Sequence, residues 1–231
     1  MAGVAMCSLR KRPKPSETTI DGITMPLVWE TRWSRHYYNA EQRHGYLESR
    51  FSDGSATISL AQLEPDWPRW STQEKLDFCL SFAHAKVPDR KDIIRFLIKN
   101  GDHDTWATIA LWVGLELPAA ESFLTLRTWC YSSPVGRGAN YFQAIALTKA
   151  PEALDVLRAC FQRVMDSEGL MDDADFCNWV AYDAICCMKY LFELGEEPAT
   201  LRSEYDRLNV HPCERTRDEV RTWLAEYFTG P

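Results

Sequence analysis

The stretch that decides the fold covers residues 141–157, which read YFQAIALTKAPEALDVL. Apolar residues with helical spacing fill its first half, and the same spacing resumes after Pro151. Proline is well tolerated in the first turn of a helix, because its missing N–H would have no intrahelical acceptor there. The segment therefore predicts one helix, a turn around Thr148 and Lys149, and a second helix that opens at Pro151.

Prolines that follow the end of one predicted helix and open the next recur along the chain. Pro88, Pro118 and Pro151 follow one another at intervals of 30 and 33 residues, and Pro198 comes 47 residues later. An interval of about 30–35 residues is typical of a repeated helix-turn-helix unit. We attribute the longer last interval to a long helix over about residues 173–194.

Several other segments have the apolar spacing of an amphipathic helix. Ser71 and Glu74 form a capping-box pattern that predicts where the first of these helices begins. One such helix pair cannot bury its apolar face alone, so neighbouring pairs stack to complete a shared core. The apolar sets are Leu76, Cys79, Leu80 and Ala83; Ile94, Leu97 and Ile98; Trp106, Ile109, Ala110 and Val113; Leu157, Cys160, Phe161 and Val164; and Val220, Trp223, Leu224 and Tyr227.

With these features, residues 141–157 resemble a HEAT-like repeat, in which a turn containing Pro-Glu-Ala joins two helices. Residues 106–118 match the same pattern more loosely, with Trp106 near the start and Pro118 at the turn. The resemblance covers roughly residues 71–210. It implies a mainly α fold, a HEAT-like α-α superhelix of stacked helix pairs with degenerate repeats.

Three regions follow from this interpretation: a flexible basic tail over residues 1–20, a mixed N-terminal segment over 21–70, and the helical repeat domain over 71–231. Within the mixed segment, residues 46–51 and 56–60 flank Asp53 and Gly54, a pair that favours a β-hairpin. A helix that begins after Asn39 and ends near Ser52 is the alternative interpretation of the same stretch.

Charge is distributed unevenly along the chain. Arg10, Lys11, Arg12 and Lys14 lie in the tail with no acidic residue among them. The whole chain has a net charge of −7 with these four positive charges included, so the remainder carries −11. A body this acidic repels a phosphate backbone, and we therefore expect no nucleic-acid partner.

Neither export nor membrane insertion is expected. The first residues lack an apolar signal region, and no apolar run approaches the length that spans a bilayer. Most of the eight cysteines lie within helical apolar patterns, which is typical of reduced, buried thiols. We therefore expect a cytoplasmic protein.

The sequence also predicts no metal site, no cofactor and no assigned catalytic residue. The cysteines include no C-x-x-C pair, the five histidines are scattered, and there is no G-x-S-x-G motif. The segment over residues 132–140, with Gly136, Arg137 and Gly138, is the most similar to a phosphate-binding loop. A simple connection between repeats is the favoured interpretation, because the lysine and the preceding strand of nucleotide-binding motifs are missing.

Asp183 is the most unusual residue in its context. It lies in a helix that is apolar on nearly all sides, and a buried carboxylate needs partners. Two interpretations are open, a functional site and a structural hydrogen bond that holds a neighbouring loop. The same alternatives apply to Asn178.

A candidate binding surface comes from the second helix of each pair. These helices contain Arg95, Arg127, Arg158 and Arg163, together with Trp129 and Tyr131. Arginine and aromatic residues dominate the energetics of protein interfaces. The resemblance implies that these helices line the concave face, and ordinary solvated arginines are the alternative.

The function implied by the resemblance is a non-enzymatic, protein-binding module with a protein partner, in an immunity-type or adaptor role. An acidic body would suit a basic partner. The first alternative is an enzyme similar to HEAT-like DNA glycosylases, with Asp183, Trp179 and Tyr182 near the reacting base. The second is a small-ligand sensor built from N-terminal aromatic residues, namely Trp29, Trp33, Tyr37, Tyr38, Trp67 and Trp70.

Overall fold

A computed structural model describes residues 17–20, 23–26, 59–82, 89–174 and 177–228. Most of this part of the chain is helical. Its α-helices are α1 (Leu60–Asp66), α2 (Thr72–Phe82), α3 (Arg90–Asn100), α4 (His103–Glu116), α5 (Ala119–Ser132), α6 (Ala139–Leu147), α7 (Ala153–Met165), α8 (Trp179–Glu193), α9 (Arg202–Asn209) and α10 (Glu214–Phe228). Short 3-10 helices cover Trp67–Arg69, Glu168–Met171 and Pro198–Leu201. The strands are β1 (Glu17–Ile20) and β2 (Ile23–Pro26), which pair antiparallel with Glu17 opposite Pro26.

The helices pack in two layers. In one layer α2, α4, α6, α8 and α10 contact each other in that order. In the other layer α5 packs beside α7. Between the layers, α3 contacts α4, α5 contacts α4 and α6, and α7 contacts α8. From α4 to α8, each helix is therefore in contact with a helix two positions along the chain, as stacked helix pairs require. The prediction of a mainly α-helical fold is confirmed, and the HEAT-like superhelix remains a prediction.

Helix boundaries follow local chemistry. The Ser71 N–H donates to Glu74 Oε2 at 2.7 Å, and the Glu74 N–H donates to Ser71 Oγ at 3.3 Å, so the predicted capping box is present at the start of α2. Pro118 directly precedes α5, and Pro151 lies two residues before α7. Three of the four prolines thus lie beside helix starts, and Pro88 lies outside the described residues.

The predicted start of α8 is wrong. This helix begins at Trp179 and not near Asp173, because Asn178 has an extended backbone and caps the helix. The Asn178 side-chain oxygen accepts the N–H groups of Val180 and Ala181, both at 3.0 Å, which satisfies two donors of the first turn. Asn178 therefore caps the helix that was expected to run through it.

A single apolar cluster joins the two layers. Most members of the predicted apolar sets are buried, including Ile94, Leu97, Ile109, Leu157 and Val220, which are 0% exposed. Aromatic rings provide much of its bulk. Tyr141, Phe78, Phe82 and Phe142 are among its largest fully buried side chains.

The predicted hairpin around Asp53 and Gly54 lies outside the described residues. At its far end, Leu60 begins α1, so the second predicted strand is wrong at that position. The basic residues of the tail also lie outside the description. Within the described ranges, no helix is both long and apolar enough to cross a membrane.

Candidate functional site

The outer side of α5 presents an unusual mixture of exposed side chains. Leu124 is 55% exposed and Tyr131 is 50% exposed, and Arg127 and Thr128 are exposed between them. Spacings of three, four and seven residues place all four on one face of a helix. We call Leu124, Arg127, Thr128 and Tyr131 the α5 stripe.

The opposite face of α5 is part of the core. Phe123, Leu126, Trp129 and Cys130 are at most 7% exposed there. The α5 stripe is therefore attached to a well-packed helix and does not belong to a loosely held segment.

Arg127 is the charged member of the α5 stripe. Its guanidinium carbon lies 5.8 Å from the centre of the Phe123 ring. No ion pair joins Arg127 to an acidic side chain within the described part of the chain. Its positive charge is consequently available to an acceptor on another molecule.

Arg95 connects α3 to α5. Its guanidinium donates to both carboxylate oxygens of Glu121, at 2.8 and 2.9 Å, and to Asp92 at 3.1 Å. The hydrogen bond from Arg95 lowers the pKa of the Glu121 carboxyl. Because the Arg95 side chain is 45% exposed, this ion pair adds little stability.

Arg158 has a similar position two repeats further along, on α7. It donates to Glu196 at 2.6 Å and to Asp155 at 3.1 Å, which links α7 to the segment before the Pro198–Leu201 turn. Two of the predicted binding arginines are thus paired with acidic residues of the same chain. They align neighbouring helices and hold no unpaired charge.

Arg163 lies on α7 and caps the end of α5. Its Nη1 donates to the Tyr131 carbonyl at 2.7 Å, and its Nη2 donates to the Cys130 carbonyl at 2.9 Å. The last carbonyls of a helix have no intrahelical donor, and a cation there also interacts favourably with the helix dipole. Arg163 therefore fixes the helix end that holds Tyr131.

Replacing Arg163 with alanine is expected to lower the free energy of unfolding by about 1.5–3 kcal/mol, because two charge-assisted hydrogen bonds to α5 are lost. Urea unfolding followed by circular dichroism measures the change. Arg158→Ala is the control, with a clearly smaller expected loss, since the Arg158 side chain is 52% exposed. Equal losses in the two variants would contradict a capping role for Arg163.

The structure corrects the prediction for Trp129. This side chain is 4% exposed and lies against Trp106, with ring centres 5.4 Å apart and planes 13° from parallel. The Tyr141 ring lies 5.7 Å away on another side. Trp129 therefore packs inside the fold, while Tyr131, two residues later, faces outward.

Asp183 is buried, at 1% exposure, and accepts three backbone hydrogen bonds. Its Oδ2 accepts the N–H groups of Gly136 and Gly138 at 2.7 and 2.8 Å, and its Oδ1 accepts the N–H of Ala139 at 3.0 Å. These donors form the loop that leads into α6. Gly136 has φ +86°, a conformation that favours glycine.

This geometry favours the structural interpretation of Asp183. Its carboxylate occupies the amide groups that a phosphate would need, so the loop is a connection between helices and holds an internal anion. Near Asp183, the rings of Trp179 and Tyr182 pack edge to face, with their centres 5.9 Å apart. The structural interpretation of Asp183 therefore accounts for its position.

The contacts of Asn178 also favour a structural role. Beyond capping α8, its Nδ2 donates to the carbonyls of Gly169, Leu170 and Asp172, at 2.8, 3.1 and 2.9 Å. One buried side chain thus holds the connection between α7 and α8.

The aromatic residues of the ligand-sensor hypothesis are only partly described. Trp67 and Trp70 are 2% and 7% exposed and pack on Phe78, which makes them core residues. A cavity of about 360 Å³ lies at the start of α3, but six polar or charged residues line it: Asp89, Arg90, Lys91, Asp92, Arg95 and Glu116. Trp29, Trp33, Tyr37 and Tyr38 lie outside the described residues.

Leu124 is a candidate that the sequence does not single out, because an apolar residue beside Phe123 suggests core packing. The feature that identifies it is helical phase, three residues before Arg127 and seven before Tyr131. Among the residues with described positions, no group of three or more His, Cys, Asp or Glu side chains is placed to hold a metal ion. Comparisons with known proteins find no matching family model, curated protein or solved structure.

Proposed function

We propose that this chain is a non-enzymatic, HEAT-like helical-repeat module that binds another protein through the α5 stripe. The observation that carries the proposal is the exposure of Leu124 and Tyr131 on either side of Arg127. Single exposed apolar residues are common on protein surfaces. Here two lie on one helix face with an arginine that has no acidic partner among the described residues, and tyrosine and arginine are enriched in interface hot spots.

The surroundings of the stripe support binding without rearrangement. Trp129 anchors α5 from inside, and Arg163 caps its end beside Tyr131. The ion pair between Arg95 and Glu121 aligns α5 with α3. A surface that is already ordered loses little conformational entropy on binding.

Charge defines two properties of the proposed partner. At long range, the net charge of −7 favours association with a basic protein, although salt screens this attraction beyond about 8 Å. At contact distance, Arg127 needs a carboxylate or carbonyl acceptor flanked by apolar groups. An immunity-type or adaptor role, in which one protein masks or recruits another, is consistent with both properties.

Affinity capture with matched charge reversals tests this proposal. Wild-type protein and the Arg221→Glu variant are expected to retain one stoichiometric partner from the native host's lysate, and Arg127→Glu is expected to lose it. Arg221 is a suitable control because it lies on α10 with a side chain 62% exposed. With the purified partner, Tyr131→Ala should weaken binding about 30-fold, the loss typical of a hot-spot residue.

Two results would contradict the proposal. One is equal retention of the partner by the two charge-reversal variants, which would place the contact elsewhere on the protein. The other is capture of nucleic acid that is released by salt, in place of a protein.

A further inference from the structure

His211 is a completely buried histidine in the turn between α9 and α10. Its exposed fraction is 0%. Histidine is the side chain whose charge ordinarily changes between about pH 5 and 8. Because buried polar atoms need hydrogen-bond partners, the contacts of a buried ring are matched to one protonation state.

The hydrogen bonds of His211 define the protonation state of its ring. The backbone N–H of Cys213 can only donate, and it donates to His211 Nδ1 at 3.0 Å. Nδ1 therefore carries no proton, and the single proton of the neutral ring is on Nε2. Nε2 lies 2.8 Å from the Leu170 carbonyl and donates to it. The neutral imidazole thus satisfies both contacts.

Asn178 binds the same carbonyl as His211. Its Nδ2 lies 3.4 Å from His211 Nε2 and donates to the Leu170 carbonyl at 3.1 Å. A carbonyl oxygen has two lone pairs, so it can accept both hydrogen bonds. Since Asn178 also caps α8, His211 joins the turn before α10 to the connection between α7 and α8.

A second proton on the ring is incompatible with this arrangement. Protonation of Nδ1 would place its N–H against the Cys213 N–H, with only 3.0 Å between the two nitrogens. Both groups would then be donors, and neither would have an acceptor. A buried cation without a partner is also costly, because burial removes its hydration.

The charges on the surrounding elements do not offset that cost. Arg217, in the first turn of α10, donates to the His211 carbonyl, so a positive charge is already close to the ring. No carboxylate among the described residues forms an ion pair with His211. The titratable side chains on the neighbouring elements include the exposed Glu168 and Asp172 between α7 and α8, Cys177 before α8, Arg207 on α9, and Cys213 before α10.

We propose that His211 is an acid-sensitive switch that holds the turn before α10 on the connection between α7 and α8. Near neutral pH, the neutral ring joins the two segments through Cys213 and Leu170. In mildly acidic solution Nδ1 takes up one proton from solvent, the hydrogen bond from Cys213 is lost, and the ring leaves its site. The turn then separates from the connection.

Proton linkage gives the direction and the size of the effect. In an unfolded chain the histidine ring is in water, where it titrates at about pH 6.5. Below this pH the unfolded state binds a proton that the closed folded state excludes, so stability falls as the pH falls. Between pH 7.5 and 5.5, one such residue raises the equilibrium constant of unfolding by about tenfold. This inference does not depend on the proposed function of the α5 stripe.

Urea unfolding of the full-length chain at pH 7.5 and pH 5.5 tests the inference. In His211→Asn, the amide oxygen can take the position of Nδ1, so the Cys213 N–H keeps an acceptor that does not titrate. His103→Asn is the matched control, because His103 is an exposed histidine at the start of α4. Over this pH change, the unfolding constants of wild type and His103→Asn are expected to rise about tenfold more than that of His211→Asn.

Nuclear magnetic resonance of the wild type gives a second measurement that needs no variant to fold. Long-range proton–nitrogen spectra should show an unprotonated His211 Nδ1 at pH 7.5. As the pH is lowered to 5.5, protonation of the ring and loss of exchange protection at the Cys213 amide should appear together.

Equal pH dependence of stability in wild type and His211→Asn would overturn the inference. So would a protonated Nδ1 at pH 7.5, or a ring that stays neutral to pH 5.5. A ring that is protonated while the Cys213 amide remains protected would also overturn it, because the turn would then tolerate the charge.

Discussion

Replacing Asp183 with alanine is expected to lower the free energy of unfolding by about 3–5 kcal/mol, because three buried N–H groups lose their acceptor. The amides of Gly136, Gly138 and Ala139 all bind this one carboxylate, at 2.7–3.0 Å. An uncompensated buried donor costs about 1–3 kcal/mol. The loop before α6 should open as a result, and its amides should exchange faster with solvent.

Urea unfolding of the wild type and variants measures this effect, with hydrogen exchange at the Gly136 and Gly138 amides as a local measure. Asp155→Ala is the matched control, since its carboxylate side chain is 77% exposed and the expected change is within about 0.5 kcal/mol. Asp183→Asn retains one acceptor oxygen and should fall between the two. A loss below about 1 kcal/mol for Asp183→Ala would show that the loop does not depend on this carboxylate.

Replacing Trp129 with alanine is expected to cost about 3–5 kcal/mol of unfolding free energy, as is typical for a large aromatic residue removed from a core. Trp129 is 4% exposed and contacts both Trp106 and Tyr141, so its removal leaves a cavity between α4, α5 and α6. The surrounding rings cannot close such a space completely. Stability should therefore fall sharply.

Tyr131→Ala is the surface variant with which the stability loss of Trp129→Ala is compared. Tyr131 is 50% exposed, so its removal should change stability by less than about 1 kcal/mol while it weakens partner binding. Urea unfolding and calorimetric measurement of partner binding, applied to the same two variants, distinguish a core residue from a surface residue. If Tyr131→Ala were as destabilising as Trp129→Ala, the α5 stripe would be part of the core and the proposed surface would be wrong.

The sequence contains enough information for the helical fold because its main determinants are local. Helix starts depend on residues a few positions apart, such as Ser71 and Glu74 at the start of α2. The same locality explains one error. The apolar pattern around α8 extends past Asn178, and only the observed side-chain hydrogen bonds show that this asparagine caps the start of the helix.

The candidate site is less predictable because its contacts join residues from different repeats. The sequence places Arg95, Arg158 and Arg163 on second helices, but it does not show their partners. Glu121 lies 26 residues from Arg95, and the carbonyl of Tyr131 lies 32 residues from Arg163. Only the stacking of helix pairs determines which arginines are paired and which remains available.

Trp129 and Asp183 show the same limit for buried residues. Residue type places Trp129 and Tyr131 in one candidate surface, although residues two positions apart lie on nearly opposite faces of a helix. Asp183 is recognisable as unusual from its apolar context. The N–H groups that donate to its carboxylate lie 44–47 residues earlier in the chain.

The central claim, that the α5 stripe is the partner-binding surface, is tested most directly by site-specific photo-crosslinking in the native host. A photoreactive amino acid is placed at Leu124 or, as a control, at the exposed Arg221 on α10. The account predicts one discrete protein adduct from position 124, lost when Arg127→Glu is added, and none from position 221. Adducts of equal yield from both positions, or an adduct from position 124 that persists with Arg127→Glu, would contradict it.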